Sequence, residues 1–349
     1  MRYKCIYCLQ EKDESEFNRE HVIPRMMGTY NQNGMVLSEH QVCKDCNSYF
    51  STDLESTIAL DSYEGLLRYL TGTKKAHEKR EIGTSALCIE GQNNIFKGMS
   101  FHASTSATPN NNCYIQLETD PLIGIIRDIE KTEYDYYSLD TLPKCDKKTA
   151  SIICRSKNPI MFVGYSRDQI DKALKEKGYI LPENIRYIDG LSISEITDTP
   201  EIITAIRIRL NEHDFRVAAK TVFNFLCYVY GMEIALSKDY DEFREFIRNG
   251  SSCPISCKVV ASGLSNIPSI SEDCHVVGLS WIQDKNLWHL GGFVSWFNAL
   301  TFLFKICPIP SPKGFIALPT SNLKISVCDN KAKGVIIHDL YTALPWTNE

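Results

Sequence analysis

Cys5-Ile6-Tyr7-Cys8, Phe17-Asn18-Arg19-Glu20-His21-Val22-Ile23-Pro24-Arg25 and Cys43-Lys44-Asp45-Cys46-Asn47 are the stretches that decide how the chain begins to fold. The two-residue gap in a Cys-x-x-Cys knuckle lets both sulfurs face one ion. Two knuckles supply the four thiolates that tetrahedral structural zinc prefers. Residues 9–42 separate Cys8 from Cys43, a longer interval than in the commonest zinc ribbons, so the insert must leave the metal and return to it. The other readings are four buried core thiols or a redox pair, and no βαβ pattern surrounds the knuckles to support the latter.

Working outward, the insert holds a turn region over 28–34 and a strand-like run over 35–42, and a helix starts near Asn47. This spells a β-hairpin followed by a helix, with zinc at its base. Apolar periodicity is weak over the first sixty residues, and small units of this kind need such a staple. Glu20 and Asn47 are oxygen donors suited to a hard divalent ion. His21, beside Glu20, has the ordinary pKa of a group that can take a proton from water near neutrality. For a histidine alone, a satisfied structural role is the competing reading.

These motifs, in this order, resemble the zinc-stapled branch of the HNH endonucleases, which have the ββα-metal fold. The resemblance covers about the first sixty residues. It implies a structural zinc on Cys5, Cys8, Cys43 and Cys46, a catalytic Mg²⁺ or Mn²⁺ on Glu20 and Asn47, and His21 as the general base. The implied activity is phosphodiester hydrolysis in nucleic acid, with DNA as the expected partner and defence against foreign DNA as a setting. Two positions depart from the family pattern. Glu20 stands where Asp is usual. The middle asparagine that braces the histidine loop is not evident, and Ser38, His40 and Asn33 are the candidates for its place. A weaker resemblance, to the C-terminal half of stand-alone bacterial HNH proteins, runs through residues 218–224 and 243–250.

The expected fold class is α+β: an HNH module over 1–60, then a larger mixed α+β accessory region over 61–349 that divides near 200. Residues 54–70 have helical spacing, with a basic run over 68–80 that is either a solvated face or a phosphate contact. Strands are expected over 82–90, 113–118, 152–155, 159–164 and 201–210, a polar loop over 104–112, and helices over 166–177, 214–232 and 240–248. Lys220 and Asn224, one turn apart in the 214–232 helix, read as a polar edge on a core helix. Residues 275–283 and 287–296 flank a hairpin turn, and Trp281, Trp288 and Trp296 read as packing anchors.

Composition sets the outer limits. The chain has 349 residues with 38 Lys and Arg against 43 Asp and Glu, a net charge of −5, so no basic coat grips nucleic acid by itself. The first sixty residues are themselves acidic, so the accessory region or a partner is expected to supply part of the grip. Met1-Arg2-Tyr3-Lys4-Cys5 begins no apolar leader, and 294–306 is too short and polar to span a bilayer. The expected location is cytoplasmic, with no membrane partner, and the ten cysteines outside the knuckles become small core thiols. A homodimer or a regulatory partner would act through the accessory region. The alternative function is a catalytically inactive, zinc-stapled adaptor that binds nucleic acid or protein.

Overall fold

The computed structural model describes residues 1–28, 35–60, 62–73, 80–81, 87–107, 113–188, 190–191, 203–250, 256–260, 274–284, 287–308, 323–329 and 334–340. The fold is mixed α+β, as expected. It forms two compact units, one made of residues 1–74 with 210–349 and the other of residues 75–209. A boundary at 60 therefore runs inside the first unit, whose chain leaves at 74 and returns at 210.

The N-terminal part of the first unit is a ββα arrangement. Strands β1 (Arg2–Lys4) and β2 (Glu11–Asp13) pair around the first knuckle, where Cys5 N donates to Gln10 O at 3.0 Å. Strand β3 (Phe17–Asn18) pairs antiparallel with β4 (Val42–Cys43), and helix α1 (Lys44–Tyr49) follows at once. A π-helical turn over Phe50–Glu55 leads into α2 (Ser56–Leu60). Helix α3 (Tyr63–Leu70) then starts on Ser62, whose hydroxyl caps Gly65 N at 2.9 Å. The helical spacing over 54–70 is thus met by helical segments on either side of this cap. Arg68, expected in a solvated or phosphate-facing run, is buried and donates to Ala59 O at 2.8 Å across that break. Residues 74–79 of that run lie outside the described residues.

Among the described residues the second unit holds nine strands, β5 (Arg80–Glu81), β6 (Leu87–Gly91), β7 (Ser100–Ala107), β8 (Cys113–Glu118), β9 (Leu122–Asp128), β10 (Glu133–Tyr137), β11 (Ile160–Val163), β12 (Ile185–Ile188) and β13 (Thr204–Ile208). They form sheets ordered β13-β6-β7-β5, with β8 also on β7, and β10-β9-β11-β12. Two expectations are corrected here. Residues 152–155 are the end of helix α4 (Lys147–Arg155), because Asp146 caps Thr149 N at 2.7 Å and starts a helix through the β-branched run. The loop expected from 104 begins later, since β7 runs to 107. Helix α5 (Arg167–Glu176) starts on a Ser166–Gln169 capping box and connects the parallel pair β11 and β12.

The chain re-enters the first unit at helix α6 (Glu212–Tyr230). Asn211 caps it by accepting from His213 N at 2.7 Å, Asp214 answers with a reciprocal bond, and Gly231 ends it at φ 87°. Every residue from Val217 to Leu226 is buried, as expected of a helix packed on all sides. On one side lies the six-stranded antiparallel sheet β14-β17-β16-β15-β18-β19, with β14 (Cys257–Val260), β15 (Cys274–Asp284), β16 (Leu287–Trp296), β17 (Leu300–Pro308), β18 (Leu323–Asp329) and β19 (Gly334–Leu340). A side chain at Gly292 of β16 would meet Val222 at 2.2 Å, so only glycine permits this approach of helix to sheet. Phe215 packs on Phe302 edge to face at 5.7 Å. Helix α7 (Asp241–Asn249) adds Phe243 between Phe223 and Phe304. The β15–β16 hairpin forms in the expected place, with its turn residues 285–286 and the side chains of Trp281 and Trp288 outside the described ones, while Trp296 is a buried anchor.

On its other side α6 meets the N-terminal module, where Phe223 packs on Tyr7 at 5.4 Å and Tyr7 on Phe50 at 4.6 Å. The sheet reaches the module too. Buried His275 accepts from Phe297 N at 3.1 Å through Nδ1, so Nε2 carries the proton and donates to Met27 O at 2.9 Å. Among the described residues no helix is long and apolar enough to cross a membrane. The described cysteines are free thiols; Cys227, Cys274 and Cys307 are buried, but Cys154 and Cys257 are exposed.

Candidate HNH site and its zinc knuckles

The two knuckles come together. The sulfurs of Cys5, Cys8, Cys43 and Cys46 lie within 4.8 Å of one another, and Cys8 and Cys43 are 3.8 Å apart. Zinc–sulfur bonds of about 2.3 Å at tetrahedral angles place sulfurs about 3.8 Å apart, so the cluster fits structural zinc. Without an ion the thiols perturb one another. Hydrogen bonds from Cys46 and Cys5 hold Cys43 well below the ordinary thiol pKa, and the Cys43 contact pushes Cys5 up to about 11. A divalent ion accepting four thiolates removes that conflict. Among the described residues this is the one cluster of three or more Cys, His, Asp or Glu side chains close enough for a single ion.

The Glu20-His21 loop is fixed along its length. Asn47, on α1, donates its Nδ2 to Asn18 Oδ1 at 2.8 Å and to Arg19 O at 2.9 Å. On the opposite edge Leu37 N donates to Glu20 O and Val22 N to Met35 O, both at 2.8 Å, and His21 bridges Val36 antiparallel. The expected hairpin is therefore drawn together at 20–22 and 35–37.

Among the described contacts, neither Ser38 nor His40 makes a hydrogen bond to Glu20 or His21, although the His40 ring packs edge to face on Phe17 with centres 6.0 Å apart. Ser38 is exposed. His40 stacks on Tyr3 with ring centres 4.2 Å apart and lies 3.5 Å from Glu14. Asn33 lies outside the described residues.

Contacts to His21 and Glu20 come instead from α6. Arg216, Lys220 and Asn224 are spaced four apart and form a polar stripe down one face of a helix whose other buried residues are apolar except for Asp214 and Thr221. The polar edge expected at Lys220 and Asn224 is corrected in its surroundings: both are fully buried, and they face the module. Lys220 Nζ makes ion pairs with Glu20 and Glu55. Asn224 Nδ2 donates to Glu20 Oε1 and to His21 O, each at 3.0 Å. Tyr7 OH donates to Asn224 Oδ1 at 2.6 Å. Arg216 donates to Tyr49 OH and to the Ile247 and Arg248 carbonyls at the end of α7. Lys220, Asn224, Glu55 and Tyr7 are thus site residues that the local motifs do not announce.

The charges follow from burial. Desolvation alone would lower the Lys220 ammonium, but the carboxylates of Glu20 and Glu55 outweigh it and hold it above the ordinary lysine value. Glu20 is raised, because burial outweighs the nearby ammonium and Glu55 repels it further. Burial keeps the Tyr7 phenol protonated, hence a donor. His21 is lowered by burial first and then by Arg25 and Lys220, so its ring is neutral at physiological pH.

The donor set fits a hard divalent ion in kind. Both described contacts of Glu20 fall on Oε1, which leaves Oε2, and the amide nitrogen of Asn47 is spent on Asn18 and Arg19, which leaves its oxygen. Two carboxyl groups, those of Glu20 and Glu55, face the one Lys220 ammonium in this pocket.

Residues 5–60 match the model of the HNH endonuclease family. No curated protein and no solved structure matches the chain.

Proposed function

We propose that this chain, whose residues 5–60 form an HNH endonuclease domain, is a metal-dependent nuclease that hydrolyses phosphodiester bonds with His21 as general base. The observation that carries the reading is a half-buried His21 on a loop fixed along both edges, within the stretch that matches the family. His21 takes the proton of a water that attacks phosphorus in line. Glu20 and Asn47 would hold a Mg²⁺ or Mn²⁺, which would supply positive charge at the scissile phosphate. Asn18, Arg19 and Asn47 hold the loop in place, and the four cysteines keep α1 against it. DNA as substrate and defence against foreign DNA as the setting rest on the family resemblance alone.

One observation favours the adaptor reading: Lys220 already supplies a cation to Glu20. A single assay separates the two. Purified chain is incubated with supercoiled plasmid or single-stranded RNA, in Mg²⁺ or in EDTA, beside His21→Ala. The nuclease reading expects metal-dependent plasmid nicking that falls about 100-fold or more in the variant. Binding without cutting supports the adaptor, and equal cutting by the variant removes His21 from the reaction.

A further inference from the structure

The geometry points to Asn224, on a helix about two hundred residues downstream of the HNH motif, as the residue that positions His21 for reaction. This rests on His21 being the base of the proposed nuclease.

The amide orientation is set by its surroundings. Asn224 is fully buried, with three groups around its carboxamide: the Tyr7 hydroxyl, the Glu20 carboxylate and the His21 carbonyl. The last two are acceptors only, so the NH₂ must face them and the oxygen must face Tyr7. With the amide reversed, three oxygens would meet without a proton among them. Tyr7 fixes the choice from outside the stripe, at 2.6 Å. Both amide hydrogens and the oxygen are then satisfied, which is what a polar group at zero exposure requires.

The bond to His21 O has a mechanical consequence. The backbone of 20–22 is already held by residues 35–37 on one edge. Asn224 grips the carbonyl of His21 itself and, through the same nitrogen, the carboxylate of the preceding residue. The peptide plane that carries the imidazole is thereby fixed, and only the His21 side-chain torsions remain free. Lys220, one turn earlier on the same helix, holds Glu20 and Glu55 and so adds to the grip. Among the described contacts, neither Ser38 nor His40 donates to this carbonyl, whereas Asn224 of α6 does. A misplacement of about 1 Å in a reacting group can cost about 100-fold in rate, which is the scale at which such a brace acts.

The test uses the full chain. Asn224→Ala and the isosteric Asn224→Asp, which replaces the donor by a third oxygen, are compared with Tyr7→Phe, which keeps the core filled and removes only the hydroxyl. Plasmid cleavage is expected to show kcat lowered about 10- to 100-fold in both Asn224 variants, with KM changed less than about threefold, and a loss of about two- to fivefold in Tyr7→Phe. Because Tyr7 acts through Asn224, the Tyr7→Phe/Asn224→Ala double variant is expected to lose no more than Asn224→Ala alone. A purely packing role predicts additive losses and a fall in zinc content with each. The second measurement needs no activity: the amides of Val22 and Leu37, followed by NMR hydrogen exchange, are expected to exchange about tenfold faster in Asn224→Ala, or in Asn224→Asp if the alanine variant does not fold. Unchanged exchange at both amides overturns the brace. So does an unchanged kcat in a zinc-loaded Asn224 variant. If His21→Ala cuts as well as the parent, the base assignment falls, and the exchange measurement still decides whether Asn224 holds the loop.

Discussion

Lys220 and Glu20, two hundred positions apart in the chain, form an ion pair whose side chains are 2% and 5% exposed. Glu55 shares the same ammonium. A pair this buried is sensitive to the loss of one partner, because the charge left behind has no water to turn to. Lys220→Met is therefore expected to lower the unfolding free energy by about 3–5 kcal/mol in chemical denaturation of the full chain. Adding Glu20→Gln and Glu55→Gln to that variant is expected to return most of the loss. A drop below about 1 kcal/mol in the single variant would show that the two carboxylates do not depend on this lysine.

The four-thiol cluster makes a stoichiometric prediction. The purified chain is expected to carry close to one zinc per molecule by elemental analysis, and a Cys5→Ala/Cys43→Ala variant close to none. Helix α1 begins immediately after Cys43, so removing the ion with a strong chelator is expected to loosen α1 and with it the Asn47 contacts to Asn18 and Arg19. Amide exchange in 44–49 that does not change on chelation would mean that packing alone holds α1.

Glu64 gives a pH dependence unrelated to the reaction. It is fully buried on α3, and burial first, then the neighbouring Asp214 charge, raise its pKa to about 7. The folded state therefore holds this proton more tightly than the unfolded chain does. The sign is fixed by that: the contribution to stability is complete below about pH 4.5, falls as pH rises toward about 7, and stays lost above it. Glu64→Gln, which cannot ionise, is expected to be more stable than the parent by about 2–3 kcal/mol at pH 8 and to match it near pH 4. Equal stability curves for the two across this range would mean that Glu64 keeps an ordinary pKa.

How much of this was readable from the residues depends on distance along the chain. The knuckles and the Glu20-His21 loop are short-range patterns, since a two-residue gap between cysteines already fixes where two sulfurs can point. The same holds for the helices over 166–177 and 214–232, which carry their own caps and periodicity. Residues 152–155 misled because a short β-branched run suits either state, and Asp146, several residues upstream, decides it. The contribution of α6 to the site was hidden for another reason. Lys220 and Asn224 looked like an edge because one polar pair on an apolar helix usually faces water. The signal lies in the third member: Arg216, Lys220 and Asn224 make a stripe of three along a helix in which every residue from Val217 to Leu226 is buried, so the stripe meets protein rather than water. What they meet could not be read, because no local pattern links residue 20 to residue 224. The HNH family match likewise ends at 60 and does not reach α6.

The return of the chain at 210 has a consequence during synthesis. At about 5–20 residues per second, a ribosome needs roughly ten to forty seconds to travel from Glu20 to Asn224. Once residue 55 is made, the emerging module has both carboxylates but, until α6 follows, neither the ammonium nor the amide that answers them. Any message cut short within the second unit yields a polypeptide with both cysteine knuckles and the Glu20-His21 loop but an unfinished site.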